Sequence, residues 1–342
     1  MALDCARLLL RGPGDLDATD AAPAALEALR LSGVRAVHVL ARRGPPHAAC
    51  TAAELREALH LPGVGVTVHP DPLPALTRED EEALAARGRG AKRVAGLLAE
   101  AASRKGATAD GSPPAKALHL HFYTAPSAYE GGAGGGDGTA VSAVTLRRTT
   151  RTGAPAAGPV PPGQGGLPPP LPLPSSLVLE AVGFRTRPLS GVPWDPATST
   201  VPSGPGGRVV EEGGQEGGGV KHNNTPSPPP LAPLYVTGWA RRGPSGIIGS
   251  NAADGADVAG AIVADAGAGK VAAGQGSAGL ATLLGARGAP PAVTAAGWRA
   301  IDDAEQAAGA ALPANPPRVK LTEVGAMRGV AEAVAGGVRR WE

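Results

Sequence analysis

Residues 235–250 of this 342-residue chain read YVTGWARRGPSGIIGS, and this stretch decides the fold. A short β-branched and aromatic run, Tyr235 to Thr237, leads into a glycine-punctuated basic loop, and a small-residue helical pattern containing Asp254 follows. The pattern predicts a strand, a tight turn and a helix N-terminus, where glycines let backbone approach a ligand and free N–H groups favour an anion. Such turns also occur without a ligand, so the pattern alone leaves both interpretations open.

Composition bounds the class of protein. The chain has 32 Lys and Arg against 30 Asp and Glu, so its net charge gives no argument for nucleic-acid binding. It has 51 glycines, 36 prolines and 3% aromatic residues, and low-complexity segments are expected at that composition. Its two cysteines, Cys5 and Cys50, indicate neither a disulfide framework nor a metal cluster and suit a reducing compartment. We expect no transmembrane helix and no targeting segment within this sequence.

A second informative stretch follows the predicted strand from Val34 to Leu40. Arg42-Arg43-Gly44-Pro45 comes directly after this strand. In a Rossmann-type unit the end of the second strand faces the adenosine ribose, where basic residues hold the 2′-phosphate of NADP. Paired arginines suit a phosphate dianion, and a solvated basic turn is the alternative interpretation. Thr51-Ala52-Ala53-Glu54 is a capping box, which predicts the start of a helix.

Three further strands are predicted, at Leu118 to Tyr123, Val141 to Arg148 and Ser176 to Ala181. His119 and His121 alternate with apolar residues on the first of them. We expect both to face solvent rather than bind a metal, because no cysteine or acidic partner follows at metal-ligand spacing.

A basic run precedes a helical pattern in residues 87–105. Cations at the start of a helix oppose the helix dipole. The run therefore indicates either a surface kept for an acidic partner or a solvated group of charges. Its members are Arg87, Arg89, Lys92 and Arg93.

Residues 235–250 resemble the C-terminal flavin-binding signature of the mitochondrial-type NADPH–adrenodoxin (ferredoxin) reductase family. The shared elements are Gly-Trp, a short basic spacer, Arg-Gly-Pro-Ser-Gly and two aliphatic residues. The Trp is discriminating, because most related flavoproteins place Asp there. Residues 33–63 resemble the same family through Arg-Arg-Gly-Pro, Thr-x-x-Glu-Leu-Arg-Glu and Leu-Pro-Gly. Ala2 to Arg7 matches the start of its first NADP helix.

The resemblance implies an α/β fold, that of a two-dinucleotide-binding-domain flavoprotein. Residues 1–190 would form a Rossmann-like NADP domain, with a low-complexity loop at about 152–174. Residues 191–342 would form the C-terminal part of the FAD domain, with an insertion at about 211–230. The implied activity passes electrons from NADPH through FAD to an acidic adrenodoxin- or ferredoxin-type iron–sulfur protein. The implied location is mitochondrial, in the matrix or at the periphery of the inner membrane.

The resemblance also implies three sets of site residues. FAD is implied to contact Trp239, Gly246, Ile247 and Ile248. NADP is implied to contact Arg42, Arg43, Glu54 and Gly246. The iron–sulfur partner is implied to dock on Arg56, Arg89 and Arg93. No catalytic nucleophile, general acid or metal ligand is expected.

Neither glycine fingerprint of such a flavoprotein is found as strand–Gly-x-Gly-x-x-Gly–helix. The chain therefore resembles the C-terminal portion of the family, is interpreted as N-terminally truncated, and is expected to bind FAD poorly by itself. One alternative is a non-catalytic NADP-binding remnant. A weaker alternative is a glutamate synthase-type electron-transfer subunit, against which stand the Gly-Trp pair and the lack of cysteine clusters.

Overall fold

The structure is a computed structural model that describes residues 1–12, 14–70, 73–131, 140–151, 153–155, 172–210, 233–246, 248–271, 274 and 276–339. These residues form two compact units. The first contains Met1–Ala181 and Ala292–Arg339, and the second contains Val182–Pro291. The division at residue 190 into two ligand-binding domains stays a prediction. Most of the loop predicted at 152–174 and the whole insertion predicted at 211–230 lie outside the described residues.

A parallel three-stranded sheet lies at the centre of the first unit. In chain order its elements are α1 (Ala2–Leu10), α2 (Pro23–Arg30), β1 (Ala36–Ala41), α3 (Ala52–Leu59), β2 (Val64–His69), α4 (Arg78–Ser103) and β3 (Lys116–Phe122). The strand order is β1-β3-β2. Parallel neighbours require crossover connections, which the helices supply. The predicted α/β class is thereby confirmed.

The main hydrophobic core lies on one face of this sheet. Alternate residues of β2 and β3 point into it, and helices α1, α3 and α4 cover it with leucine and alanine side chains. The fully buried aliphatic side chains of this core are Leu10, Leu55, Leu59, Val64, Val66, Val68, Leu98 and Leu118. Burying one such side chain stabilises the fold by about 1.5–3 kcal/mol, so this core holds α1 and α3 in place behind β1.

An antiparallel sheet follows, of order β4-β5-β6. Its strands are β4 (Thr124–Gly131), β5 (Val141–Arg148) and β6 (Pro172–Pro174). The strands predicted at Leu118 to Tyr123 and Val141 to Arg148 are confirmed as β3 and β5, whereas β4 was not predicted.

The strand predicted at Ser176 to Ala181 is wrong. These residues are in no strand of the described chain, and Leu177 and Leu179 are 55% and 52% exposed. A strand is stable only where a neighbour satisfies its N–H and C=O groups.

Among the described strands β1 pairs with β3 alone, so its other edge is unpaired in this part of the chain.

The second unit is built from helices α5 (Trp239–Arg242), α6 (Ile248–Gly267) and α7 (Gly276–Ala286). The run from Tyr235 to Thr237 forms no strand, only a single bridge from Tyr235 to Arg208. Polar contacts contribute to its packing: the carboxylate of Asp265 accepts from Arg208 Nε at 2.6 Å and from the Tyr235 hydroxyl at 2.7 Å.

The C-terminal segment groups with the first unit and contains β7 (Ala292–Val293), α8 (Ala295–Ala310), α9 (Val324–Glu332) and β8 (Val338–Arg339). An ion pair of 3.6 Å joins Lys320 in this segment to Asp20. Among the described helices of both units, none has the length and apolarity that crossing a membrane requires.

Candidate cofactor-binding loops

Arg42 and Arg43 follow β1 directly, at the carboxyl end of the parallel sheet. The backbone of this loop is fixed, because the Thr149 hydroxyl donates to Arg42 O and the Tyr123 N–H donates to Arg43 O. The two side chains are exposed. Among the described residues neither guanidinium has a hydrogen-bond or ion-pair partner. The site therefore presents two adjacent positive charges on a fixed backbone, and no described carboxylate pairs with either of them.

Gly44 is required for the packing of the same loop. A Cβ built on Gly44 would lie 2.2 Å from the hydroxyl oxygen of Tyr123 and 2.5 Å from the ring carbon that bears it. Only glycine allows the loop to lie directly against this ring. The position of the arginines after the strand is thus held by backbone contacts, not by the arginine side chains themselves.

Glu54 has the structural role expected from the capping box. Its Oε2 accepts from Thr51 N at 2.8 Å, and Thr51 Oγ1 accepts from Glu54 N at 3.2 Å. These contacts satisfy two N–H groups at the start of α3. Glu54 also raises the pKa of the nearby Cys50 thiol, although burial of that thiol is the larger cause. The predicted contact of Glu54 with NADP would therefore add to an established structural role.

The three arginines predicted to dock a partner lie on α3 and α4, which pack against each other. Arg56 on α3 is half-buried, and Arg89 and Arg93 on α4 are exposed. None of the three forms an ion pair within the described residues. Arg87, in the same basic run, differs because its guanidinium donates to Pro46 O and Ala48 O.

In the second unit, the predicted flavin contacts leave apolar surface uncovered. Trp239 is 43% exposed and Ile248 is 89% exposed. The Trp239 ring lies 5.6 Å from the Phe184 ring, centroid to centroid, at a tilt of 31°. Gly246 is exposed with φ +95, a conformation that favours glycine. Ile247 lies outside the described residues.

Asp254 on α6 organises the backbone that carries Trp239. Its Oδ2 accepts from Thr237 Oγ1 at 2.8 Å and from Gly238 N, and its Oδ1 accepts from Arg241 Nη1 at 2.8 Å. The hydrogen bond from Gly238 N is the largest cause that lowers the pKa of this carboxyl to about 2, with the Thr237 and arginine contacts adding to it.

The expectation that His119 and His121 face solvent is wrong. His121 is 4% exposed and His119 is half-buried. They stack with His38 of β1 and His69 of β2, because the parallel register places His38 beside His119 and His69 beside His121. Among the described residues no group of three or more His, Cys, Asp or Glu has a geometry that could hold a metal ion.

Several residues of these loops were not predicted as part of a site. Both Thr149 and Arg87 contact residues 42–48, which we call the arginine loop. Thr149 donates to Arg42 O, 107 residues earlier in the sequence. Arg87 donates to Pro46 O and Ala48 O, 41 and 39 residues earlier. No pattern of neighbouring residues predicts contacts between segments so far apart in sequence. The histidine cluster did leave a signal, since each of its members occupies an alternating position in a β-rich segment.

A parallel sheet with crossover helices and a basic loop at the carboxyl end of a strand defines an α/β protein, and this arrangement is shared with dinucleotide-binding folds. No family model matches the chain. It is 34% identical over 323 residues to the mitochondrial NADPH:adrenodoxin oxidoreductase of Arabidopsis thaliana, covering 94% of this chain and 62% of that protein. It is 34% identical over 330 residues to the Bos taurus mitochondrial protein of the same name, covering 94% and 60%.

The bacterial relatives agree. NADPH-ferredoxin reductase FprA of Mycobacterium tuberculosis is 34% identical over 330 residues, covering 95% of this chain and 64% of FprA. The solved structure of FprA in complex with NADPH superposes with a TM-score of 0.70 at 32% identity, covering 96% of this chain and 64% of that chain. The chain belongs to the NADPH–adrenodoxin (ferredoxin) reductase family. It spans 60–64% of the length of these relatives.

Proposed function

We propose that the chain serves as an FAD-dependent NADPH–adrenodoxin (ferredoxin) reductase, passing electrons from NADPH to an adrenodoxin- or ferredoxin-type iron–sulfur protein. The observation that carries the proposal is the exposed Arg42–Arg43 pair at the carboxyl end of β1, whose guanidinium groups have no partner among the residues that the structure describes. The chain is also related to FprA, whose solved structure holds NADPH. When bound, the flavin supplies hydride and single-electron chemistry. The protein supplies binding and orientation.

The NADP site we propose consists of Arg42, Arg43, Glu54 and Gly246. Two exposed guanidinium groups without a carboxylate partner fit the 2′-phosphate dianion, since each offers a planar fork of donors. The Oε1 atom of Glu54 has no partner among the described residues and fits a hydroxyl donor of the ribose. Gly246 is proposed to present its backbone to the nicotinamide ring; the side chains of Ser250 and Arg242 already fill the space that a Cβ on Gly246 would take.

The flavin site we propose consists of Trp239, Gly246, Ile247 and Ile248. The exposed apolar surface of Trp239 and Ile248 fits a planar aromatic ring system, because covering that surface removes it from water. No step of proton transfer is assigned to these residues, because none of them carries a titratable side chain. Their role is to hold the ring and to exclude water from one face of it.

The partner we propose is an acidic iron–sulfur protein that docks on Arg56, Arg89 and Arg93. Opposite charge on the two surfaces steers their encounter and raises the association rate at low salt. We also propose a mitochondrial location, in the matrix or at the periphery of the inner membrane, without a transmembrane span. The support for it is that the Arabidopsis thaliana and Bos taurus relatives are named as mitochondrial.

The paired arginines provide the test of the proposal. Arg42→Ala combined with Arg43→Ala should weaken NADPH binding by at least about 100-fold relative to wild type while changing NADH binding less than about threefold, because only NADPH carries the 2′-phosphate. Titration calorimetry with each nucleotide measures both. Arg35→Ala is the matched control, an exposed arginine at the opposite end of the same strand, and should leave both affinities unchanged. Equal losses for NADPH and NADH would reject the 2′-phosphate site.

A second candidate function is a non-catalytic NADP-binding remnant of such a reductase. The observation that favours it is the edge of β1 that is unpaired within the described residues, together with the lack of either glycine fingerprint in the sequence. Each fingerprint would place a row of backbone N–H groups against a pyrophosphate, and the sequence contains neither.

An absorption spectrum separates the two candidates. The purified chain is incubated with FAD, free flavin is removed, and the visible absorbance is recorded before and after addition of NADPH. A folded chain without flavin supports the remnant for this polypeptide. Retained flavin that bleaches on addition of NADPH would instead show that the polypeptide is itself a competent reductase.

A further inference from the structure

We infer that Arg87 is a positioning residue for the arginine loop, residues 42–48. Its guanidinium fixes the backbone at Pro46 and Ala48 and thereby sets the direction in which the Arg42 and Arg43 side chains point. The inference rests on the proposed function, since it names a residue that acts on the same site. Arg87 belongs to the basic run whose sequence pattern indicates either a partner surface or a solvated group of charges. The contacts assign it a third role, directed into the molecule.

The loop needs an external donor to satisfy its backbone. Its single turn of 3-10 helix, Pro45–His47, uses the Gly44 and Pro45 carbonyls as acceptors for His47 N at 2.9 Å and Ala48 N at 3.1 Å. These two hydrogen bonds leave the carbonyls of Pro46 and Ala48 without a donor inside the turn. Arg87 Nη2 donates to Ala48 O at 2.8 Å, and Arg87 Nη1 donates to Pro46 O.

A guanidinium is suited to this task because its donors lie in a rigid plane. Two N–H groups of one side chain meet two carbonyls two residues apart, which fixes the loop's orientation and not merely its distance from α4. A lysine at the same position keeps the charge but loses the planar fork. The Arg87→Lys variant therefore separates positioning from a simple contribution of positive potential.

Helix α4 holds Arg87 in place. Gly88, the next residue, has φ 78 and ψ −167 and breaks the helix there. Leu84 before this break and Val94 after it are 5% and 2% exposed, so both halves of the helix are anchored in the interior. Arg87 thus projects from a fixed point of the fold towards the loop and restrains it at Pro46 and Ala48, whereas Thr149 restrains it at Arg42 O.

Two measurements on the full chain test the inference, using Arg87→Lys and Arg87→Met, with Lys92→Met as the control. Lys92 is an exposed cation on the same helix. The first measurement is hydrogen exchange of the amides of residues 47–50. The second is calorimetric binding of 2′,5′-ADP and of 5′-AMP, which differ by the 2′-phosphate.

In both Arg87 variants we expect loop amides to exchange at least about tenfold faster, and the preference for 2′,5′-ADP to fall at least about tenfold, because the fork is lost in each. The control should match wild type in both. Unchanged loop exchange overturns the inference, as does a preference lost with Met but kept with Lys. If wild type itself shows no preference for 2′,5′-ADP, the proposed 2′-phosphate site is rejected, and loop exchange alone decides whether Arg87 fixes the loop.

Discussion

Lowering the pH from about 7.5 to about 5 is expected to reduce the thermal unfolding midpoint of the first unit by at least about 5 °C. The cause is the cluster formed by His38, His69, His119 and His121. These four rings come from all three strands of the parallel sheet. Charging any of them would act on the element that organises the unit.

The geometry of the cluster disfavours protonation of its rings. His38 Nδ1 lies 3.0 Å from His121 Nε2, and His69 Nε2 lies 3.3 Å from His119 Nδ1. A hydrogen bond between two imidazole nitrogens needs one donor and one acceptor, so it is lost when both rings are protonated. The stacked pairs, with centroids 4.5 Å apart for His38 and His119 and 4.4 Å for His69 and His121, would also bring like charges together.

The pKa shifts agree in direction. Burial, and then the charges of the other histidines, lower the pKa of His121 to about 3. Burial, followed by the effect of His119 and His69, lowers the pKa of His38 to about 4. Burial and His69 also lower the pKa of His119. The charged neighbours that act on His121 are the other three histidines, and no carboxylate is among them.

The sign of the pH dependence follows from these shifts. An unfolded chain protonates its histidines near pH 6.5, whereas the folded cluster resists protonation down to about pH 4 and below. Between these values the unfolded state binds more protons, so stability falls as the pH falls. The contribution of the cluster is complete above about pH 6.5 and is progressively lost towards about pH 4.

Calorimetric unfolding across this pH range provides the measurement. The double variant His38→Leu with His121→Leu should flatten the dependence of the unfolding midpoint on pH, whatever its stability at neutral pH. His60→Gln is the matched control, since His60 is exposed and lies outside the cluster, and it should keep the slope of wild type. A wild-type midpoint that is constant between about pH 7.5 and about pH 5 would contradict the prediction.

The sequence pattern correctly predicted those elements whose structure depends on a few consecutive residues. The strand preceding Arg42 and the capping box of Thr51 and Glu54 each depend on a few consecutive residues, and both are confirmed. The strand predicted at Ser176 to Ala181 is a different case. Its residues have the right composition, but a strand depends on pairing with a neighbour, and these residues pair with no strand of the described chain.

The contacts that fix the site depend on register and could not be obtained from spacing. The burial of His121 follows from the parallel alignment of β3 with β1 and β2, which brings segments far apart in sequence side by side. The tie from Arg87 to Pro46 O likewise requires α4 to lie beside the loop after β1. Such contacts are properties of the assembled fold.

The second large effect is expected at Asp254, where Asp254→Ala should release the loop that carries Trp239. Asp254 is 7% exposed. Its carboxylate accepts hydrogen bonds from Gly238 N, Thr237 Oγ1 and Arg241 Nη1. Hydrogen bonds to a charged group are each worth about 1.5–3 kcal/mol. We therefore expect exchange of the Gly238, Arg241 and Arg242 amides to accelerate at least about tenfold, together with a lower unfolding midpoint.

Asp257→Ala is the matched control, because it removes a second carboxylate from the same arginine. Asp257 also accepts from Arg241 Nη1, at 2.8 Å, but its side chain is 54% exposed. Exposed ion pairs contribute about 0–1 kcal/mol, so this variant should exchange nearly as wild type does. Because the folded pKa of Asp254 lies near 2, below its ordinary value of 3.8, the stabilisation is complete above about pH 4 and is lost as the pH falls towards about 2. Equal exchange rates for the two variants would show that the loop is held by Arg241 alone, and Asp254 would then have no special role in presenting Trp239 to a ligand.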